Sequence, residues 1–245
     1  LRFEPVLNGI FTTVLLALVE PFSGTTSVKD LNPHLDYRRS SLPRPARLQS
    51  LGDPRGIVWN STGTRAYVTG MGSNNLLILD AEGNRVGDPI ALPSGPTGIA
   101  LDEPRHRLYA LNRFDASVSI VDTELRRVAF TEKFYDPTPA AIRHGREHFY
   151  DTHKTSGLGQ ASCASCHVDG RMDRLAWDLG DPGGEMKIIT RTNLNFARFS
   201  PPATNHFHPM KGPMVTQTLQ DIIGHEPFHW RGDRDGLEDF NPTFT

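Results

Sequence analysis

Short runs of alternating apolar and polar positions fill the first half of the chain. RAYVTG (65–70) and RLYALN (107–112) put Tyr67 opposite Val68 and Tyr109 opposite Leu108, the period-2 pattern of a strand. GIVW (56–59) and GIAL (98–101) are short apolar runs, and NLLILD (75–80) and SVSIVD (117–122) read as inner strands that end in Asp at a turn. IFTTVLLALVEP (10–21) is the most apolar early stretch. It is shorter than the roughly 20 residues a bilayer span needs, and its Thr, Val and Ile content predicts a buried strand.

These runs repeat. PRGIVWNSTGTRAYVTGMGSNNLLILDAEGNRV (54–86) aligns without a gap to PTGIALDEPRHRLYALNRFDASVSIVDTELRRV (96–128), pairing Gly56 with Gly98, Tyr67 with Tyr109, Ile78 with Ile120 and Asp80 with Asp122. The offset is constant at 42 residues, a period that predicts one several-stranded propeller blade per unit. Residues 10 to 32, with a turn at Ser23-Gly24, read as a degenerate third unit. The YVTG stretch resembles the YVTN family of β-propellers, a surface and periplasmic class, over about residues 53 to 134. Two or three blades do not close a ring, which usually takes four to eight. The chain starts at Leu1 without a signal-peptide pattern, so the expectation is a mature or trimmed fragment.

Composition adds little to this picture. Of 245 residues, 37 % are hydrophobic and 22 % charged, which suits a globular protein, and 19 Pro with 22 Gly favour strands and turns. A formal net charge of −2 argues against a nucleic-acid partner.

The pattern changes after Pro137. TPAAIRHGREHFYDTH (138–153) predicts a helix, with Pro139 in its first turn and Ala141, Ile142, Phe149 and Tyr150 as its apolar face. SCASCHVDG (162–170) follows, and holds both cysteines of the chain. A disulfide between Cys163 and Cys166 would close a tiny loop and stabilise little. A structural zinc site wants four ligands, and there is no second C-x-x-C. The third reading uses every residue: C-x-x-C-H is the attachment signature of c-type haem. Cys163 and Cys166 would form thioethers, and His167 would be the proximal iron ligand. Such attachment implies a periplasmic or extracellular protein, as does the propeller resemblance.

The sixth ligand decides between electron transfer through a closed iron and small-molecule chemistry at an open one. The candidates are Met172, Met186, Met210, Met214, His206, His208, His225 and His229. GREHFYDTHKTSGLGQASCASCHVDGRMD (145–173) resembles the haem-attachment region of the bacterial di-haem cytochrome c peroxidase family, and GPMVTQTLQDIIGHEPFHWRGD (212–233) resembles its later segment. The resemblance covers about residues 140 to 245. It puts His229 where the family has a distal Met, which implies a bis-histidine haem, and leaves Met214 as the rival. The family carries two haems and this chain has one C-x-x-C-H, so the expectation is a second site beyond Thr245, with a mono-haem relative as the alternative.

Other polar features have ordinary readings beside functional ones. His144 and His148 stand four apart on the predicted helix, as a metal pair or a solvated face. Trp177 and Trp230 suit haem walls or core packing, and Arg231 a haem propionate or a surface ion pair. Asp233, Asp235, Glu238 and Asp239 form an acidic turn, with calcium as the alternative, though they match no EF-hand loop.

The expected fold is therefore α+β and multidomain: partial propeller over 1–135, mostly helical cytochrome over 136–245. The expected function is extracytoplasmic electron transfer through one haem c, serving a redox partner or larger redox complex, with a peroxidase-like reaction if a second haem completes it. The alternative is a propeller-based binding or scaffold subunit with an accessory haem.

Overall fold

The computed structural model describes residues 12–39, 41–178, 187–188, 206–207, 213–229, 232 and 234–244. The chain divides into two compact units, one made of residues 13–35 and 41–165, the other formed mainly from Cys166 onward. This division falls between Ser165 and Cys166, so the helical run after the sheets groups with them.

The first unit opens with a hairpin of β1 (Leu15–Val19) and β2 (Thr26–Asp30), the degenerate unit expected over 10–32. A one-turn helix α1 (Arg44–Arg47) follows. Next come β3 (Pro54–Trp59), β4 (Arg65–Gly70), β5 (Asn75–Asp80) and β6 (Ile90–Ala91), an antiparallel sheet in sequence order. The second sheet, β7 (Pro96–Asp102), β8 (Arg107–Asn112), β9 (Ser117–Asp122) and β10 (Arg127–Lys133), repeats that order. Both sheets are four-stranded, as propeller blades are.

Alternation along the strands builds two cores from one sheet. Ala66, Val68, Leu77 and Leu79 pack with Val14, Leu31, Leu51 and the hairpin residue Leu16. Their neighbours Tyr67, Leu76 and Ile78 point the other way and pack with Leu108, Ala110 and Val121 of the second sheet. The first sheet is therefore buried on both faces, whereas β8 and β9 alternate between buried and half-exposed residues. At one edge the sheets approach closely: a Cβ added to Gly56 would lie 2.5 Å from the Thr97 carbonyl, and Thr69 Oγ1 donates to that oxygen at 2.9 Å.

The repeated aspartates do the same work in both sheets. Asp80 Oδ1 accepts from Asn84 N at 2.8 Å, and Asp122 Oδ1 accepts from Leu125 N at 2.9 Å, closing the turn after each inner strand.

The helix expected over 138–153 is α2 (Ala140–Tyr150). Its face differs from expectation, since no α2 residue is buried and Ile142 is exposed. Arg146 seats it instead, with its guanidinium 5.3 Å from the Phe114 ring centre and bonded to Thr138 Oγ1, while Tyr150 packs on Phe114. Two one-turn helices follow, α3 (Thr152–Thr155) and α4 (Cys163–Cys166).

The second unit departs from the mostly helical domain expected. Its described residues form short paired strands and 3-10 turns. β11 (Ala176–Asp178) pairs with a strand at 213–215, and β12 (Lys187–Ile188) pairs with β13 (His206–Phe207). The 213–215 strand is β14 (Pro213–Val215), and a 3-10 segment spans Leu237–Phe244. Glycine and proline in this stretch interrupt the run of helix formers a bundle needs.

Candidate cofactor site

The segment leading to the cysteines is fastened to the loops of the first sheet. Asp151 ends α2 and caps α3, accepting from Lys154 N at 3.0 Å. Thr152 N donates to Gly72 O at 2.9 Å, and Asn74 Nδ2 donates to Asp151 Oδ2 at 3.2 Å. Thr152 sits so close to Gly52 and Gly72 that a Cβ on either would fall 2.7 or 2.6 Å from its Cγ2. Further along, Leu42 N donates to Gly157 O at 2.9 Å, and Asn32 Nδ2 reaches both Leu51 O and Gln160 Oε1. This run, 152 to 162, is mostly buried and is held by polar contacts.

The cysteines then lie on one helical turn. Ser165 N donates to Ser162 O, and Ser162 N donates to Ser165 Oγ, both at 3.0 Å, so the serines brace the start of α4. Cys163 and Cys166 are three residues apart on that turn and share a face. Neither is in a disulfide, both are half-buried, and burial pushes the Cys163 thiol up.

His167 ends this turn. Its Nδ1 lies 2.7 Å from the carbonyl oxygen of Gln217. A carbonyl only accepts, so Nδ1 carries the hydrogen and the Nε2 lone pair is left for a metal. Leu219 N donates to Gly170 O at 2.9 Å, so residues 217–219 are tied to the turn at two points. β14 leads directly into that segment, with Met214 paired to Trp177 across the strands. Trp177 Nε1 donates to Asp173 Oδ2 at 2.7 Å. Burial raises the Asp173 carboxyl, but hydrogen bonds from Leu175 N, Trp177 and Thr216 outweigh it and hold it below the usual carboxylate range.

The two thiols, the adjacent imidazole and its free Nε2 fit a covalently attached haem. Among the described residues, no group of three or more His, Cys, Asp or Glu is placed to hold a metal ion.

The remaining candidates are scattered. His229 lies in the turn closed by Phe228 N to Arg234 O at 2.7 Å, with its ring edge-on to Phe240 at 4.9 Å. His225 is exposed, 3.8 Å from Asp221. Met172 is exposed. His206 lies in β13 opposite Ile188. Met186, Met210, His208, Trp230, Arg231 and Asp233 lie outside the described residues. His144 and His148 stand on α2, His148 beside Glu147, and Glu147 pairs with Lys154. In the acidic stretch, Asp235 N donates to Asp239 Oδ2 at 2.8 Å.

Sequence reading missed the Gln217 carbonyl, because a backbone acceptor 50 residues away leaves no mark in residue identity. It also missed the fastening of 152–162, for which Gly52 and Gly72 were the available signal.

No protein-family model and no curated protein sequence matches the chain. Solved structures overlap it in part. Kuenenia stuttgartiensis hydrazine synthase is 23 % identical with a TM-score of 0.33, over 36 % of this chain and 25 % of that one. The periplasmic gluconolactonase PpgL of Pseudomonas aeruginosa is 14 % identical with a TM-score of 0.36, over 54 % and 39 %. The dihydro-heme d1 dehydrogenase NirN is 10 % identical with a TM-score of 0.33, over 51 % and 24 %. The chain spans well under half the length of each, and its fold description rests on its own strand order and register.

Proposed function

We propose that this chain is an extracytoplasmic c-type cytochrome module that transfers electrons through one covalently attached haem. The observation that carries this reading is the His167 Nδ1 to Gln217 O hydrogen bond of 2.7 Å, which commits the imidazole to the tautomer an iron ligand needs. Cys163 and Cys166 hold the group by their sulfurs, and His167 presents Nε2 from the next position. The Gln217 carbonyl keeps the ring oriented and raises its basicity. When bound, haem supplies a redox-active iron whose potential the axial ligands tune.

His229 is the favoured distal ligand. Met214, three residues before Gln217 on β14, is the rival for that role. A peroxidase-type reaction would need a second haem beyond this single motif, as the resemblance to the di-haem family implies. A periplasmic or extracellular location accompanies thioether attachment. Among the described residues, no helix is long and apolar enough to cross a membrane.

The second reading, a binding subunit of a larger redox complex, draws on the open apolar face of the second sheet, with Phe130 exposed.

The deciding experiment is the optical spectrum of the purified ferric protein. A Soret band that survives denaturation with acidic acetone supports the covalent haem. Its absence returns Cys163 and Cys166 to dithiol or zinc chemistry.

A further inference from the structure

Val58, Tyr67 and Ile78 stand directly opposite one another across β3, β4 and β5. The second sheet sheathes this row, leaving Tyr67 3 % and Ile78 2 % exposed. Forty-two residues on, Ala100, Tyr109 and Ile120 form the same row across β7, β8 and β9, and Phe130 extends it on β10. Among the described residues nothing covers it. Tyr109 and Ile120 are only half-buried, and Phe130 is 55 % exposed. One sequence pattern is thus covered in the first sheet and open in the second.

Among the described residues, the β1–β2 hairpin carries an exposed face of the complementary kind. Twice within this unit, the Tyr67-type face of one β element packs on the Ala66-type face of the next: the hairpin on the first sheet, then the first sheet on the second. The hairpin turns Leu16 and Leu18 toward the first sheet, where both would touch a Cβ on Gly83. Leu15, Ala17, Val19 and Val28 therefore face outward, with Ala17 opposite Val28 and Val28 58 % exposed. Leu15 and Ala17 keep the Leu-x-Ala spacing of Leu108 and Ala110, the residues that meet the Tyr67 row inside the chain.

We propose that the outer face of the second sheet docks the outer face of the β1–β2 hairpin of a second copy of this chain. The contact reuses the face-to-face pairing already made twice inside each copy. It is heterologous, so copies join head to tail into a closed ring or an open chain. The row is apolar and flanked by polar turns, which gives a central aromatic anchor at Phe130 and Tyr109. The haem motif plays no part in it.

The test is sedimentation velocity of the full chain over a range of concentrations, with and without bound haem. Association is expected in both states. Phe130→Asp and Val28→Asp each place a charge at an exposed position, so circular dichroism should remain that of the parent. Each is expected to weaken association about tenfold or more. Mixing the two variants leaves one intact face on each, and is expected to give a 1:1 dimer that grows no further. A chain that stays monomeric overturns the proposal and assigns the face to a different protein or β-sheet. Association abolished by Phe130→Asp but untouched by Val28→Asp also overturns it, because the contact would then join two copies of the second sheet. A folded pair of variants that associates as the parent does would overturn it as well.

Discussion

The Nε2 atom of His153 donates to the carbonyl oxygen of Ser50 across 3.0 Å, pinning the approach to the cysteines onto the segment that leads into β3. The hydroxyl of the same serine donates to Leu158 O at 2.7 Å. With its proton committed there, Ser50 Oγ accepts from His34 Nε2 at 3.3 Å. His34 Nδ1 is then the acceptor facing Arg85 NH1 at 3.4 Å. Two neutral histidines thus converge on one serine that holds the chain four residues before Ser162.

This arrangement makes the sheet-bearing unit sensitive to mild acid. Burial lowers His153, outweighing the Ser50 hydrogen bond and Asp151, which oppose it, with Arg47 adding to the lowering. Burial also lowers His34, with Arg85 adding to it and a hydrogen bond to the Ala46 backbone and Asp30 opposing. Each folded histidine therefore titrates below the ordinary value of 6.5, while the unfolded one titrates near it. In that window the unfolded chain binds more protons, so stability is full above 6.5 and is lost as pH falls below it. The slope is at most about 1.4 kcal/mol per pH unit for each group, and less for the more solvated His34. Thermal unfolding between mildly acidic and neutral pH should show the decline, and His153→Gln should flatten it.

Gly52 and Gly72 leave no room for a side chain beside Thr152. Gly52→Ala is expected to destabilise the unit by about 1–3 kcal/mol through overpacking. Thr152→Ala in the same chain should recover part of that loss, since Thr152 Oγ1 is buried without a partner. Denaturant midpoints of the two single variants and the double variant test this.

Under the proposed haem attachment, each cysteine would contribute a separate bond. Cys163→Ala or Cys166→Ala should leave haem attached by one thioether, with a red-shifted pyridine haemochrome band. The double variant should lose all haem on a denaturing gel. A double variant that keeps covalent haem would rule out the assignment.

Replacement of the distal group separates the two candidates. His229→Ala is expected to convert a low-spin ferric spectrum to high-spin, while Met214→Leu leaves it unchanged. A far-red sulfur-to-iron band in the parent, abolished by Met214→Leu, would transfer the role to Met214.

The repeat and the cysteine motif were legible because both are local. A strand writes its alternation into adjacent residues, so Tyr67 against Val68, and the same pair 42 residues later, reveals two sheets without any knowledge of their partners. Cys163 and Cys166 fall on one helical turn and His167 follows directly, so the spacing is already most of the geometry. The helix 138–153 was legible as an element, but not its seat: Ile142 faces water while Arg146 on Phe114 holds the helix.

By itself, then, the sequence determined the period, the strands, the turn-closing aspartates and the three residues of the attachment motif, since each depends on neighbours within a few positions. Tertiary structure alone decided that, among the described residues, one sheet is buried on both faces and the other on one. It also decided that Ser50 gathers His34 and His153, and that the Gln217 carbonyl sets the tautomer of His167. Those contacts join backbone groups and side chains tens of residues apart, and a carbonyl oxygen is the same atom in every residue.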